Sequence, residues 1–203
     1  MKGYYYVSDS ALSMQGILSD VEIAVRAGAC LIQYRDKNAD TSRMYEEAAA
    51  LKKICGSSGS RLIINDRLDV ALAADADGVH IGQSDMPLKA VRKILGSKKI
   101  IGVTVHSPEE AIIAEKDGAD YLGVSPIFPT VTKGDAGSPC GIDILRKIRG
   151  NSSIPVAAIG GINFSNLDHV IEAGADMVCM ISAVIAEDPV FEKMKEIQRR
   201  FGL

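Results

Sequence analysis

The sequence has no excess of basic charge: 23 Lys and Arg stand against 26 Asp and Glu, a formal net charge of −3. That balance excludes a broad cationic face for a nucleic-acid backbone, so any anionic ligand is expected to be small and held locally. Cysteine is scarce, and Cys30, Cys55, Cys140 and Cys179 never approach C-x-x-C spacing, which argues against a zinc site or a disulfide framework. Reduced thiols and a cytoplasmic location are the expectation. The chain reaches Tyr4-Tyr5-Tyr6-Val7 without an apolar leader, and no later stretch runs 18 residues without a charge or turn signal. Export and membrane insertion are therefore disfavoured.

What is present is a chain of 203 residues, 47% hydrophobic and 24% charged, which reads as one globular domain over 1–203. At this length folding buries roughly 70% of the unfolded chain's surface, enough for a core to hold the fold without staples.

A short motif recurs before apolar runs: Ala27-Gly28-Ala29-Cys30, Asp75-Ala76-Asp77, Gly118-Ala119-Asp120 and Gly174-Ala175-Asp176. Taking Gly28, Asp75, Gly118 and Gly174 as markers, the spacings are 47, 43 and 56 residues. Each marker follows a helix-like segment and precedes a β-rich one, where a left-handed backbone conformation ends the helix. One further strand between markers brings the count to eight: Tyr4 to Val7, Leu31 to Arg35, Leu62 to Asn65, Gly78 to Ile81, Ile100 to Val105, Tyr121 to Ser125, Val156 to Ile159 and Met177 to Ile181. Seven helical segments separate them and an eighth follows. Glu46 to Cys55, Glu109 to Lys116 and Val190 to Arg200 have the clearest amphipathic patterns, and Ser107-Pro108-Glu109-Glu110 has the composition of a helix start.

Strands apolar on both faces and strict alternation with helices leave a closed (β/α)8 TIM barrel or an open doubly wound sheet. Four similar double units favour closure. Eight units in 203 residues allow about 25 each, so most connections must be short. The exception is the long connection from Ser125 to Ile142, rich in Pro, Gly and Thr, and thus a candidate functional loop.

A barrel of this kind carries its active site at the C-terminal ends of the strands, and the unusual polar residues gather there. After the second strand, Gln33, Arg35 and Lys37 share one face by period-two alternation, while Asp36 faces away. Asp66 and Asp85 follow adjacent strands. Their carboxylates can converge on one hard divalent cation, for which magnesium suits better than zinc; the alternative is that each caps a following helix. Thr130, Thr132 and Lys133 offer two hydroxyls and a compact charge. Gly160, Gly161 and the Ile181-Ser182 backbone occupy the usual phosphate position of such barrels, although Gly-Gly also serves simply for a tight turn. His80 and His169 read as packing or surface residues; His106 alone is near the expected mouth, with no Ser or Cys nucleophile beside it.

The ordered set Gln33-x-Arg35-x-Lys37, Ile64-Asn65-Asp66-Arg67, Asp77-Gly78-Val79-His80-Ile81-Gly82-Gln83-Ser84-Asp85, Gly102-Val103-Thr104-Val105-His106, Pro126 through Gly137, Ala158-Ile159-Gly160-Gly161-Ile162 and Ile181-Ser182-Ala183 resembles the thiamin phosphate synthase family from the second strand to the eighth. The resemblance implies two small-molecule substrates, 4-amino-5-hydroxymethyl-2-methylpyrimidine diphosphate and a thiazole ethyl phosphate, joined with release of pyrophosphate. By the same resemblance, Arg35, Lys37, Asn65 and Lys133 bind the diphosphate, Asp66 and Asp85 hold Mg²⁺, and Gln33 positions the pyrimidine. Thr130, Thr132, Gly161, Ile181 and Ser182 would hold the thiazole phosphate. Thr104 stands where the family commonly has serine; it keeps the hydroxyl near the expected cation and joins Arg35, Lys37 and Lys133 in the implied catalytic set. Asp36 replaces the more usual glutamate. Two rivals are a related thiazole tautomerase, with His106 moving a proton without metal, and a non-catalytic sensor of thiamin precursors. The tautomerase would leave Asp85 and the Thr132-Lys133 pair without a task.

Overall fold

The structure is a computed structural model that describes residues 1–56, 58–130 and 137–203. Strands β1 (Gly3–Val7), β2 (Leu31–Tyr34), β3 (Arg61–Asn65), β4 (Gly78–Ile81), β5 (Ile100–Val105), β6 (Tyr121–Val124), β7 (Val156–Ile159) and β8 (Met177–Cys179) pair in parallel in chain order. β8 closes on β1, with Gly3 opposite Met177. Between them run α1 (Ile17–Ala27), α2 (Thr41–Gly56), α3 (Leu68–Ala73), α4 (Leu88–Leu95), α5 (Pro108–Lys116), α6 (Gly141–Asn151) and α7 (Leu167–Glu172), with α8 (Ser182–Ile185) and α9 (Val190–Arg200) after β8. This is the expected (β/α)8 barrel. The eight-helix expectation omits α8, a single turn whose first residue is preceded by Ile181 with no side-chain cap, so no start signal marks it in the sequence.

Alternation along each strand builds two apolar layers. Tyr4 and Tyr6 point out against the helices, with Ile32, Leu62, Ile64 and Val79. Tyr5 and Val7 point into the barrel, with Leu31, Ile63, Tyr121, Ala157, Met177 and Cys179. No described helix is long and apolar enough to cross a membrane.

The recurring motif does what its spacing implies. Gly28, Asp75, Gly118 and Gly174 follow α1, α3, α5 and α7 with φ of 90°, 48°, 98° and 97°. Two residues on, the carboxylate of Asp77, Asp120 and Asp176 accepts the amide of Leu62, Ile101 and Val156 at 2.8, 2.7 and 2.9 Å, tying each even strand to the start of the odd strand before it. A cation from the preceding even helix completes each junction: Lys52 at 2.8 Å, Arg92 at 2.5 Å and Arg149 at 3.4 Å. The first repeat has Cys30 in place of aspartate. There the equivalent amide, Tyr4 N–H, donates instead to Gln198 Oε1 of α9 at 2.9 Å. The last helix thus supplies the acceptor that the first repeat lacks, at the seam where the barrel closes.

Candidate active site

The polar residues expected at the mouth fall into three groups. The first is a charged cluster after β2, β3 and β4. Lys37 Nζ donates to Asp66 Oδ2 at 2.5 Å, and the carboxyls of Asp66 and Asp85 are near enough to shift each other's titration. Asp66 has φ of 59°, a rare conformation for a residue with a side chain. It does not cap α3, which starts after Arg67 with no side-chain cap. Asp85 Oδ2 instead accepts the Gly82 amide at 2.7 Å, closing its own turn, and α4 starts after Pro87 without a side-chain cap. The helix-capping alternative therefore fails for both.

Electrostatics separates the two acids. Partial burial opposes charge on Asp66, but Lys37 and the nearby Asp85 carboxyl outweigh it and hold its carboxyl below the usual range. Asp85 goes the other way: burial and the facing Asp66 charge push it up against the opposing Gly82 N–H bond. Two neighbouring carboxyls that oppose each other's charge favour a shared proton or a cation between them. Among the described residues no group of three or more His, Cys, Asp or Glu is assembled. An oxygen-only pair of this kind suits a hard divalent ion whose remaining ligands come from water and ligand oxygens.

Arg35 is half-buried beyond the end of β2, its backbone fixed by Ser8 Oγ, which accepts the Arg35 N–H at 2.8 Å. Asn65 ends β3 opposite His80. Asp36 turns away from the mouth, as alternation predicts, and accepts the amides of Asn38 and Ala39 at 2.8 and 3.0 Å; burial works to raise its carboxyl, but these bonds hold it low.

The second group lines a cavity of about 530 Å³, formed by Thr130, Gly161, Ile181 and Ser182 with Pro129 and Cys179. Its wall depends on close loop packing. Ile127 and Phe128 donate their amides to the carbonyls of Ile159 and Gly160 at 2.9 and 3.0 Å. A Cβ at Gly161 would lie 2.5 Å from the Pro129 carbonyl oxygen, so only glycine lets the loop after β7 approach the loop after β6 this closely. Thr132 and Lys133 lie outside the described residues.

The third group was not visible as a unit in the sequence. Gln33 is buried and its Nε2 donates to the Tyr5 hydroxyl; Tyr5 and Tyr121 hydroxyls meet at 2.6 Å. Tyr121 meets His80 Nδ1 at 2.9 Å, and His80 Nε2 meets Thr104 Oγ1 at 2.8 Å. His80 is therefore neither a surface nor a purely packing residue. Strand parity carried the missing signal: Tyr5, Gln33, His80, Thr104 and Tyr121 all occupy inward positions. His106 is exposed, and both its backbone N–H and its ring Nδ1 are held by Glu110 Oε2, at 2.7 and 3.0 Å. Together with Ser107 Oγ, which accepts the Glu110 amide at 3.2 Å, this forms a capping arrangement at the start of α5.

Comparison with known proteins agrees with this fold. The thiamine monophosphate synthase family matches residues 4–184. The chain is 54% identical over 193 residues to the thiamine-phosphate synthase of Methanosarcina mazei, covering 95% of this chain and 80% of that one. It is 49% identical over 195 residues to that of Chloroflexus aurantiacus, covering 96% and 90%. A solved structure, the thiamine phosphate pyrophosphorylase from Pyrococcus furiosus, superposes with a TM-score of 0.91 at 40% identity, covering 98% of this chain and 95% of that one. With the barrel, the charged cluster and the second cavity already in place, these similarities show that the chain belongs to the thiamine monophosphate synthase family and is a transferase of thiamine biosynthesis.

Proposed function

We propose that this enzyme joins 4-amino-5-hydroxymethyl-2-methylpyrimidine diphosphate to a thiazole ethyl phosphate by a dissociative path assisted by Mg²⁺. The observation that carries the reading is the Lys37–Asp66–Asp85 cluster, set after β2 to β4 and apart from the cavity after β6 to β8. The reaction has two anionic substrates, and the two separate groups of residues at the mouth support one place for each.

The chemistry needs no protein nucleophile. The C–O bond to the diphosphate breaks with its electron pair leaving on oxygen; the electron-rich aminopyrimidine stabilises the resulting methylene cation; the thiazole nitrogen then donates its pair to that carbon. The chain's task is to stabilise the departing anion and to align the ring that captures the cation. Lys37, Arg35 and Asn65 stand at the strand ends where the diphosphate would sit, and Lys133 keeps the role that the family resemblance implies. Preorganised donors at a developing anion are typically worth roughly 3 to 4 kcal/mol each. When bound between Asp66 and Asp85, Mg²⁺ would supply further positive charge to the diphosphate oxygens. Thr130, Gly161, Ile181 and Ser182 hold the thiazole phosphate, with Thr132 in its implied role. Gln33 and Thr104 face the pyrimidine.

Incubating both substrates with Mg²⁺ and following pyrophosphate tests the reading: equimolar pyrophosphate and thiamin phosphate are expected. Binding without product would make the barrel a sensor, and metal-independent isomerisation of the thiazole would make it a tautomerase.

A further inference from the structure

The hydrogen bonds inside the barrel form one continuous chain from β2 to β5: Gln33 Nε2, the Tyr5 hydroxyl, the Tyr121 hydroxyl, His80 Nδ1, His80 Nε2 and Thr104 Oγ1. The strands are shaped to admit it. A Cβ at Gly102 would lie 2.0 Å from Tyr121 Cζ, and one at Gly123 would lie 2.9 Å from His80 Cε1, so two interior strand positions are kept as glycine to make room for these rings. Tyr5 and Tyr121 pack edge to face with centroids 5.7 Å apart, and His80 lies tilted over Tyr121 at 5.5 Å.

We propose that Tyr5, Tyr121 and His80 are positioning residues that form a directional relay, setting in concert the hydrogen-bonding character that Gln33 and Thr104 present to the pyrimidine edge. The inference rests on the synthase reading above and adds the way that site selects its ring.

The direction follows from what each group can do. An amide N–H only donates, so once Gln33 turns its Nε2 inward the Tyr5 oxygen accepts and the Tyr5 O–H donates to the Tyr121 oxygen. Tyr121 then donates to His80 Nδ1, which must be the unprotonated nitrogen. His80 Nε2–H donates to Thr104 Oγ1, and the Thr104 proton is left for a ligand. Burial pushes both phenols well above their ordinary range, so they act as neutral donors. At the mouth this leaves Gln33 Oε1 as an acceptor and the Thr104 hydroxyl as a donor. A 4-aminopyrimidine offers the complement: an exocyclic N–H donor beside an unprotonated ring nitrogen. The 4-oxo analogue offers the reverse at both atoms, and meeting it would require every bond in the relay to turn round. Sites built to hydrogen-bond one pattern reject its inverse strongly because buried groups are left unpaired.

Calorimetry with unreactive ring ligands tests this without the ionisation step: the pyrimidine methyl monophosphate and its 4-oxo counterpart. Wild type should prefer the amino compound by about 100-fold or more. Tyr121→Phe should lose at least tenfold of that preference, while the affinity for inorganic pyrophosphate with Mg²⁺ stays within twofold. An unchanged preference in Tyr121→Phe, or a wild-type preference near unity, overturns the relay. Should that variant fail to fold, Tyr5→Phe repeats the test. Independently, ¹⁵N NMR of the wild-type protein should show His80 protonated at Nε2 and bare at Nδ1; a proton on Nδ1 overturns the assigned direction. Turnover of the two true substrates by the same preparation separates the claims. Product formed without ring preference refutes the relay alone, whereas absence of product with the ring preference present, and lost in Tyr121→Phe, refutes the synthase reading alone.

Discussion

The two ends of this barrel use aspartate in opposite ways. At the N-terminal end, Asp77, Asp120 and Asp176 each take one strand amide and one cation from the preceding even helix. Every charge there is answered locally, which is how a carboxylate serves stability. At the C-terminal end, Asp66 and Asp85 face each other, with Lys37 bonded to Asp66 and the second carboxyl forced upward. Asp66 is answered by Lys37, whereas the charge on Asp85 is left opposed by its neighbour. The same residue type thus holds the fold where its partners are built in and, on the function proposed above, equips the site where a partner is left to be supplied.

The sharpest way to break this comparison is to remove one acid from each end. Asp85→Ala should lower turnover by roughly 10² to 10³ and flatten its dependence on Mg²⁺, with little change in melting temperature. Pyrophosphate release titrated against Mg²⁺ measures it, and unchanged activity at limiting metal would remove Asp85 from the metal role. Asp77→Ala should do the reverse. It orphans the Leu62 amide and frees Lys52, a loss of about 1 to 3 kcal/mol, or roughly 2 to 12 °C in Tm for a chain of this size. Its kcat at 25 °C should match wild type; a variant that melts normally but turns over poorly would erase the distinction between the ends.

A third acid sharpens the comparison with a smaller effect. Asp20 in α1 is buried beneath Tyr6, whose hydroxyl donates to it at 3.4 Å, and burial raises its carboxyl despite that bond. A raised carboxyl favours the folded state most when protonated, so its contribution is complete below the unfolded-state value and is lost as pH rises through the folded one. Asp20→Asn should therefore raise Tm by roughly 2 to 4 °C at pH 7. The gain should shrink as the pH is lowered into the range where Asp20 protonates. A difference independent of pH, followed by thermal melts across the series, would show that charge at Asp20 is not the cause.

Much of this was legible in the sequence because it is periodic. Four marker residues spaced through the chain announced helix ends, and all four adopt the left-handed backbone expected of them. Ser107-Pro108-Glu109-Glu110 announced a helix start, and Ser107 caps α5. The mouth was legible for a related reason: in a parallel barrel every strand ends at the same rim, so polar residues just beyond Gln33, Asn65 and Ile81 had to be neighbours. Less visible was what neighbours do to each other. Asp66 taken alone read first as a helix cap until its backbone and the uncapped start of α3 were known. Gln198, distant in the chain from the repeats, gave no sign that it would stand in for the aspartate missing beside Cys30.

The sequence by itself determined the alternation of strands and helices, the closure they favour and the set of residues at the rim, because these follow from local periodicity and from a rule of the architecture. Only the tertiary structure decided which hydroxyl meets which ring inside the barrel, how two adjacent carboxyls divide their charge, and where α9 completes the first repeat. Those outcomes depend on distances between strands brought together by closure, and hydrogen bonds and charges act over a few ångströms that no spacing along the chain encodes.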